Sequence, residues 1–269
     1  MKDKKQNELE ERPAVLDDLP EPVAYTERMI QDLEPPAELI EGMLRANQKM
    51  LLTGPERAEK SRLLKELAIS LALGTEWLCF RCRKCRVFYV DLAYDGSRTM
   101  HHFMEAFAGH YLNSSAAGGL MLWSVKGLDM TPEQLENALL KMLKEKPADV
   151  IILDPLWRLF NYYRCNAAEE AAFCRVLDRI CEESGAAVIY SMDDPHGFSL
   201  RTGVQEMVEE FGYLGIDANA FLHLRRVGNT RDADSAWRLE GTFKDYPPLH
   251  PVRLWYRFPV HHLYVSRSG

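Results

Sequence analysis

Met50-Leu51-Leu52-Thr53-Gly54-Pro55-Glu56-Arg57-Ala58-Glu59-Lys60-Ser61-Arg62-Leu63-Leu64 reads as a buried strand, a tight loop and a helix. The loop fits the phosphate-binding pattern G-x-x-x-x-G-K-[ST] at every fixed position but one. Gly54 takes the first glycine, Lys60 and Ser61 take the last two places, and Glu59 stands where the second glycine belongs. In such a loop, backbone N–H groups and the helix N-terminus surround phosphate oxygens, the lysine adds charge, and the hydroxyl helps hold Mg²⁺. Gly54, Pro55, Glu56, Arg57, Ala58, Glu59, Lys60, Ser61 and Arg62 therefore form the candidate nucleotide loop. A glutamate before the lysine adds bulk and a negative charge where the backbone should approach a polyanion. Two like unit charges about 4 Å apart cost roughly 4 kcal/mol at an effective dielectric of about 20. That is an upper figure, because the side chain can turn to solvent.

The 269 residues suit one large α/β domain or two small ones. Hydrophobic residues make up 46% and charged residues 27%, which is ordinary for a water-soluble fold. No apolar run approaches the roughly 20 residues that span a bilayer, and Met1-Lys2-Asp3-Lys4-Lys5-Gln6 leads into no apolar signal segment. The expected location is the cytoplasm, with no membrane partner. A net charge of −7 argues against a generally basic nucleic-acid binder and leaves room for a local basic groove. The six cysteines are expected to be reduced thiols.

Residues 1–34 are charged and proline-interrupted, and read as an arm, partly disordered, with one short helix near Val23–Leu33. Pro35-Pro36 marks the boundary of a domain over 35–269. Ala37–Leu44 has apolar residues at helical spacing. The helix after the loop runs from about Lys60 to Leu73, is apolar on several sides, and ends at Gly74. Arg86–Leu92 is a buried strand, Ser97–Tyr111 a helix and Leu120–Trp123 a short strand. Thr131-Pro132-Glu133-Gln134 is a capping box that opens a helix to about Lys146. Asp149–Leu153 is a strand, Asn166 caps a helix closed by Gly185, and Ala186–Ser191 is the next strand. This alternation predicts a mostly parallel sheet covered by helices on both faces. Asn219–Arg225, Ala236–Leu239 and Arg253–Phe258 are expected to extend one edge of it as antiparallel strands.

Asp154 ends a hydrophobic strand, where P-loop proteins place the acid of the Mg²⁺ shell. With Ser61 it makes the candidate metal pair. Cys79-x-x-Cys82-x-x-Cys85 invites a zinc reading, but no fourth ligand lies close in sequence, and Cys165, His101 and His102 would have to approach in space. The metal reading is not the preferred one there, and Cys174 and Cys181, seven apart on one helix, read as packing residues. Arg225, Arg226 and Arg231 follow a predicted strand in a loop with Gly228 and Asn229, and are candidates to touch nucleic acid or a neighbouring copy's nucleotide. His261-His262 reads as an exposed tail pair.

Six pieces occur in one order: Leu39-Ile40-Glu41-Gly42-Met43-Leu44, the loop, Tyr89-Val90-Asp91-Leu92, Ile152-Leu153-Asp154-Pro155-Leu156, Gly185-Ala186-Ala187-Val188-Ile189-Tyr190 and Arg238-Leu239-Glu240-Gly241-Thr242. The series resembles the RecA-fold AAA-family ATPases that include the hexameric replicative helicase RepA of plasmids. That resemblance spans roughly residues 36–258. It implies a RecA-like P-loop core, ATP and Mg²⁺ as cofactors, and replication of plasmid or mobile-element DNA. Self-association, an active ATPase paralogue and DNA are the partners it implies. Four patches depart from the resembled pattern. Glu59 replaces the loop glycine, and Ala93 replaces the glutamate that would act as base for the attacking water, with Asp95 as the substitute candidate. A His-rich run ending in Lys-Gly has become Met192-Asp193-Asp194-Pro195-His196-Gly197, and a Gly/Ser-rich stretch has become Val208-Glu209-Glu210-Phe211-Gly212. The expectation is weak ATP binding with hydrolysis impaired or lost. The alternative is an inactive interaction protein on the same scaffold.

Overall fold

Period-two alternation in the apolar runs sends successive side chains to opposite faces of one sheet. Met50 and Leu52 enter one core and Leu51 the other. Val87 and Tyr89 divide from Phe88 and Val90 in the same way, and Val150 and Ile152 from Ile151 and Leu153. The computed structural model describes residues 34–159, 165–194, 203–227 and 236–264. The chain divides into two units, Met1–Pro35 and Pro36–Gly269, and the strands and helices of the described residues belong to the second. The helix expected near Val23–Leu33, together with His196, Gly197, Gly228, Asn229 and Arg231, lies outside the described residues.

The elements are β1 (Glu38–Ile40), β2 (Leu44–Arg45), β3 (Lys49–Gly54), α1 (Lys60–Leu73), β4 (Glu76–Trp77), β5 (Phe80–Arg81), β6 (Val87–Asp91) and α2 (Gly96–Gly109). Then come β7 (Leu120–Ser124), α3 (Pro132–Glu145), β8 (Val150–Asp154), α4 (Ala167–Ser184), β9 (Ala187–Asp193), α5 (Val204–Glu210) and α6 (Gly212–Asp217). The last strands are β10 (Ala220–Arg226), β11 (Ala236–Phe243), β12 (Val252–Arg257) and β13 (Val260–Leu263). The main sheet has the order β13-β12-β11-β10-β3-β9-β8-β6-β7. Strands β10 to β7 in that order run parallel. The antiparallel extension begins at β11, one strand later than expected, because β10 pairs parallel with β3. Helices α1 and α2 fill one core, and α3, α4, α5 and α6 the other.

The helical spacing in Ala37–Leu44 misleads. Gly42 adopts a left-handed φ of 66°, the Glu38 carboxylate accepts its N–H at 2.8 Å, and the segment folds back as the β1–β2 hairpin. Helices α5 and α6 were not expected. They bury Met207, Val208, Phe211 and Leu214. The expectation for His261-His262 is corrected too: both lie in β13, and although His262 is exposed, His261 is buried. Its Nδ1 lies 2.6 Å from Glu66 of α1, and its backbone N–H donates to the same carboxylate. His110 Nε2 reaches the other Glu66 oxygen at 3.0 Å.

Burial pushes the Glu66 carboxyl up, but the hydrogen bonds of His110 and His261 outweigh it and hold the group below its ordinary value of 4.5. A depressed carboxyl stabilises the fold above the unfolded value and loses that contribution as pH falls through the folded one. Glu66→Gln should therefore cost about 1.5–3 kcal/mol at neutral pH. Urea unfolding of the two proteins should show this gap closing as pH drops below 4.5.

Candidate phosphate-binding site

The parallel strands β3, β9, β8 and β6 all end on one edge, where open α/β sheets bind ligands. Strand β3 ends at Gly54, where β10 leaves no room for a side chain. A Cβ built there would stand 2.9 Å from the Leu224 carbonyl oxygen and 3.0 Å from Leu224 Cβ. The loop then passes through the left-handed region twice, at Arg57 (φ 65°) and at Glu59 (φ 57°). The place assigned to glycine thus has a glycine-like backbone occupied by glutamate, at a cost of about 1–2 kcal/mol. Glu59 is the N-cap of α1 without a side-chain cap bond, and its carbonyl accepts from Leu63 N–H at 3.0 Å.

Lys60 is buried. Its Nζ donates to the Gly54 and Pro55 carbonyls at 2.8 and 2.9 Å and pairs with Asp193, at the end of β9, at 2.7 Å. Ser61 Oγ donates to Asp154 Oδ1 at 3.0 Å, so the two candidate metal residues do meet. Ser191 Oγ donates to the same oxygen, and Tyr89 O–H donates to Oδ2. Burial, reinforced by the charges of Asp154 and Asp91, pushes the Tyr89 phenol well above its ordinary value, which keeps it a donor. Lys65, 1% exposed, lies beneath. Its Nζ donates to Tyr89 Oη at 2.9 Å, with Asp91 Oδ2 at 3.5 Å and Asp154 Oδ2 at 3.8 Å.

Over this floor opens a cavity of about 450 Å³, walled by residues 56–62 of the loop and by Ala93, Tyr94, Arg98, His102, Trp157, Arg158 and Asp193 among others. The volume lies within the range of small-molecule sites. Arg98 stacks on Tyr94 at 4.6 Å from the ring centre, and Arg158 on Trp157 at 4.2 Å. Neither has a carboxylate ion pair among the described residues, whereas Arg62 is paired with Glu105 at 2.6 Å. Burial first, then the charges of Arg62 and Lys65, push His102 down to about 4.

Ala93 lines the cavity, and its N–H donates to Asp91 at 3.0 Å. Asp95 is not among the cavity walls. It is exposed and caps α2 by accepting the Arg98 N–H at 3.0 Å, a bond that also lowers its carboxyl below the ordinary value. Arg225 and Arg226 complete β10 and are not in a loop. Arg225 is buried against Glu240 at 3.1 Å. Cys82 and Cys85 are buried, their thiols pushed by burial up to about 12 and about 11. Among the described residues no group of three His, Cys, Asp or Glu is placed to hold a metal ion. Sequence reasoning missed Lys65, Tyr89, Ser191, Asp193, Arg98 and Arg158. The signal for Lys65 is a lysine inside a helix that is apolar on several sides.

A nucleotide-type loop at the carboxyl edge of a parallel sheet, with antiparallel strands beyond it, defines a P-loop site on a RecA-like fold. Comparison with known proteins agrees. A family model described as an AAA domain matches residues 12–192, and the chain belongs to that family. Its fold is similar to that of a KaiC-like protein from the hyperthermophilic archaeon Pyrococcus horikoshii, 15% identical with a TM-score of 0.55, over 84% of this chain and 94% of that one. It is also similar to the RadB recombinase, 14% identical with a TM-score of 0.57, over 82% of this chain and 92% of that one. A search of curated proteins by sequence finds no match. No helix among the described residues is long and apolar enough to cross a membrane.

Membership implies nucleotide and Mg²⁺ use in general. The residues around Asp154 do not fit the ion. Both carboxylate oxygens already accept from internal donors, and the Lys65 ammonium stands 3.8 Å from one of them. A dication beside Asp154 would share that carboxylate with a fixed cation.

Burial keeps His102 neutral, and the charges of the cleft add to that effect. Its imidazole proton shifts should titrate near 4 in the free protein and move to higher pH when inorganic triphosphate is added, because an anion offsets the arginine and lysine charges.

Proposed function

We propose that this chain is a nucleotide-binding AAA-domain protein whose hydrolysis is impaired or lost, working in the replication of plasmid or mobile-element DNA. Ala93 carries the reading. It lines the cavity where the resembled family has a glutamate, and a methyl group neither orients nor deprotonates an attacking water. Glu59 at the loop's left-handed position and Asp193 on Lys60 both weaken the hold on phosphate. The replication role rests on the ordered motif series alone, and DNA and an active ATPase paralogue are the partners it suggests. The arm over 1–34 and the domain over 35–269 are proposed as the functional units. The ion pair between Lys60 and Asp193 also favours a second reading, an interaction protein that has no need of nucleotide.

Wild-type phosphate release from ATP should fall well below about 1 s⁻¹, the low end of the usual enzyme range. Glu59→Gly should tighten ATP binding by calorimetry and Lys60→Ala should abolish it. Equal affinity in all three proteins would remove the loop as the site. Glu59→Gly combined with Ala93→Glu should raise phosphate release above wild type, within the roughly 10²–10⁴-fold that a general base supplies. No gain from that double variant would favour the interaction-protein reading.

Light scattering at micromolar concentration should find mainly monomer or dimer. A stable hexamer that persists without nucleotide would contradict the decay of nucleotide-driven ring assembly.

A further inference from the structure

The buried lysine of α1 has no place in the motif that predicts this site. Lys65 lies five residues after Lys60 and is 1% exposed. Its ammonium is fixed by the Tyr89 hydroxyl at 2.9 Å, by carboxylates at 3.5 and 3.8 Å, and by the Tyr89 ring at 4.8 Å. A lysine so deep is stable only where fixed negative charge surrounds it. Here that charge comes from Asp91 and Asp154, at the carboxyl ends of the adjacent strands β6 and β8. Asp91 is otherwise occupied with the N–H groups of Ala93 and Tyr94 and with the Thr99 hydroxyl. Asp154 is the residue a P-loop protein would direct towards Mg²⁺.

We propose that nucleotide binding at this cleft requires no divalent cation, because Lys65 supplies from inside the protein the positive charge that a metal would bring to Asp154. The proposal rests on the nucleotide-binding reading above. The charge needed by an uncomplexed triphosphate is present on the cavity wall. Arg98 and Arg158 each lie over an aromatic ring and carry no carboxylate ion pair among the described residues. Lys60 completes the set once phosphate displaces Asp193. A merely structural Lys65 would also be buried and paired, but it would leave the metal requirement of the site unchanged. That difference is what an experiment reads.

The test is calorimetric titration of the full chain with ATP, once with excess Mg²⁺ and once with EDTA. The expected result is dissociation constants within about threefold of each other in wild type. Lys65→Met keeps the side-chain length and removes the charge. It should bind at least ten times more tightly with Mg²⁺ than with EDTA. Lys65→Met leaves two buried carboxylates uncompensated, so Lys65→Met with Asp91→Asn is the second variant, and the same metal dependence is expected of it. Wild-type binding at least ten times tighter with Mg²⁺ overturns the proposal and leaves the nucleotide-binding reading standing. No binding in either buffer overturns both. Metal-independent binding that persists in both lysine variants removes Lys65 as the cause and overturns the assignment.

Discussion

Helix α1 is packed on nearly every side, and eleven of its fourteen residues are buried. Lys60, Lys65 and Glu66 therefore lie out of reach of bulk water, and each must find its counter-charge within the fold or destabilise it by several kcal/mol. Lys60 finds Asp193 on β9, Lys65 finds Asp91 on β6 and Asp154 on β8, and Glu66 finds His110 and His261. These partners come from three parallel strands, from the end of α2 and from the last antiparallel strand. One helix thus ties the phosphate loop, the site floor and the antiparallel edge of the sheet to one another by charge as well as by apolar contact.

Backbone and side chains tell different stories at the cleft. The backbone keeps the form of a phosphate loop, with Gly54 against β10 and left-handed turns at Arg57 and Glu59. The side chains have been turned inward. Lys60 faces Asp193, Asp154 is saturated by Ser61, Ser191 and Tyr89, and Asp91 caps the segment that holds Ala93. Arg98 and Arg158 lie over aromatic rings on the cavity wall, without a carboxylate ion pair among the described residues. Arg98, Arg158 and Lys60 line this cleft beside Ala93, whose methyl side chain has no group to accept a proton.

Much of the fold is legible in the residues alone. Strand β3, the loop and α1 are legible because an apolar run, a near-complete motif and Gly74 mark each boundary, and Thr131 and Asn166 announce α3 and α4 through capping chemistry. The parallel pairing of β10 is not legible, because nothing local says which neighbour a strand will take. The β1–β2 hairpin is hidden by apolar spacing that suits a helix, and only the left-handed Gly42 decides it. Helices α5 and α6 do carry a signal, the apolar positions 207, 208, 211 and 214, but they are short and contain Gly212 and Gly215. At the site, residues 56–62 and Asp154 follow from the motif. Lys65, Asp193 and the two stacked arginines depend on contacts between elements far apart in sequence. His261 reads as a tail residue for the same reason: its partner, Glu66, is 195 positions away.

The two glycine places of the loop differ in how far they can drift. At position 54 any side chain meets the backbone of β10 itself, so replacement requires two strands to separate. At position 59 the cost to the fold is a left-handed backbone torsion, and a penalty of about 1–2 kcal/mol is one that a well-packed domain can absorb. Substitutions in a lineage would therefore enter at the second glycine long before the first. A loop that has begun to lose its chemistry would keep its first landmark, and would still be identifiable as a phosphate loop well after it had ceased to work as one.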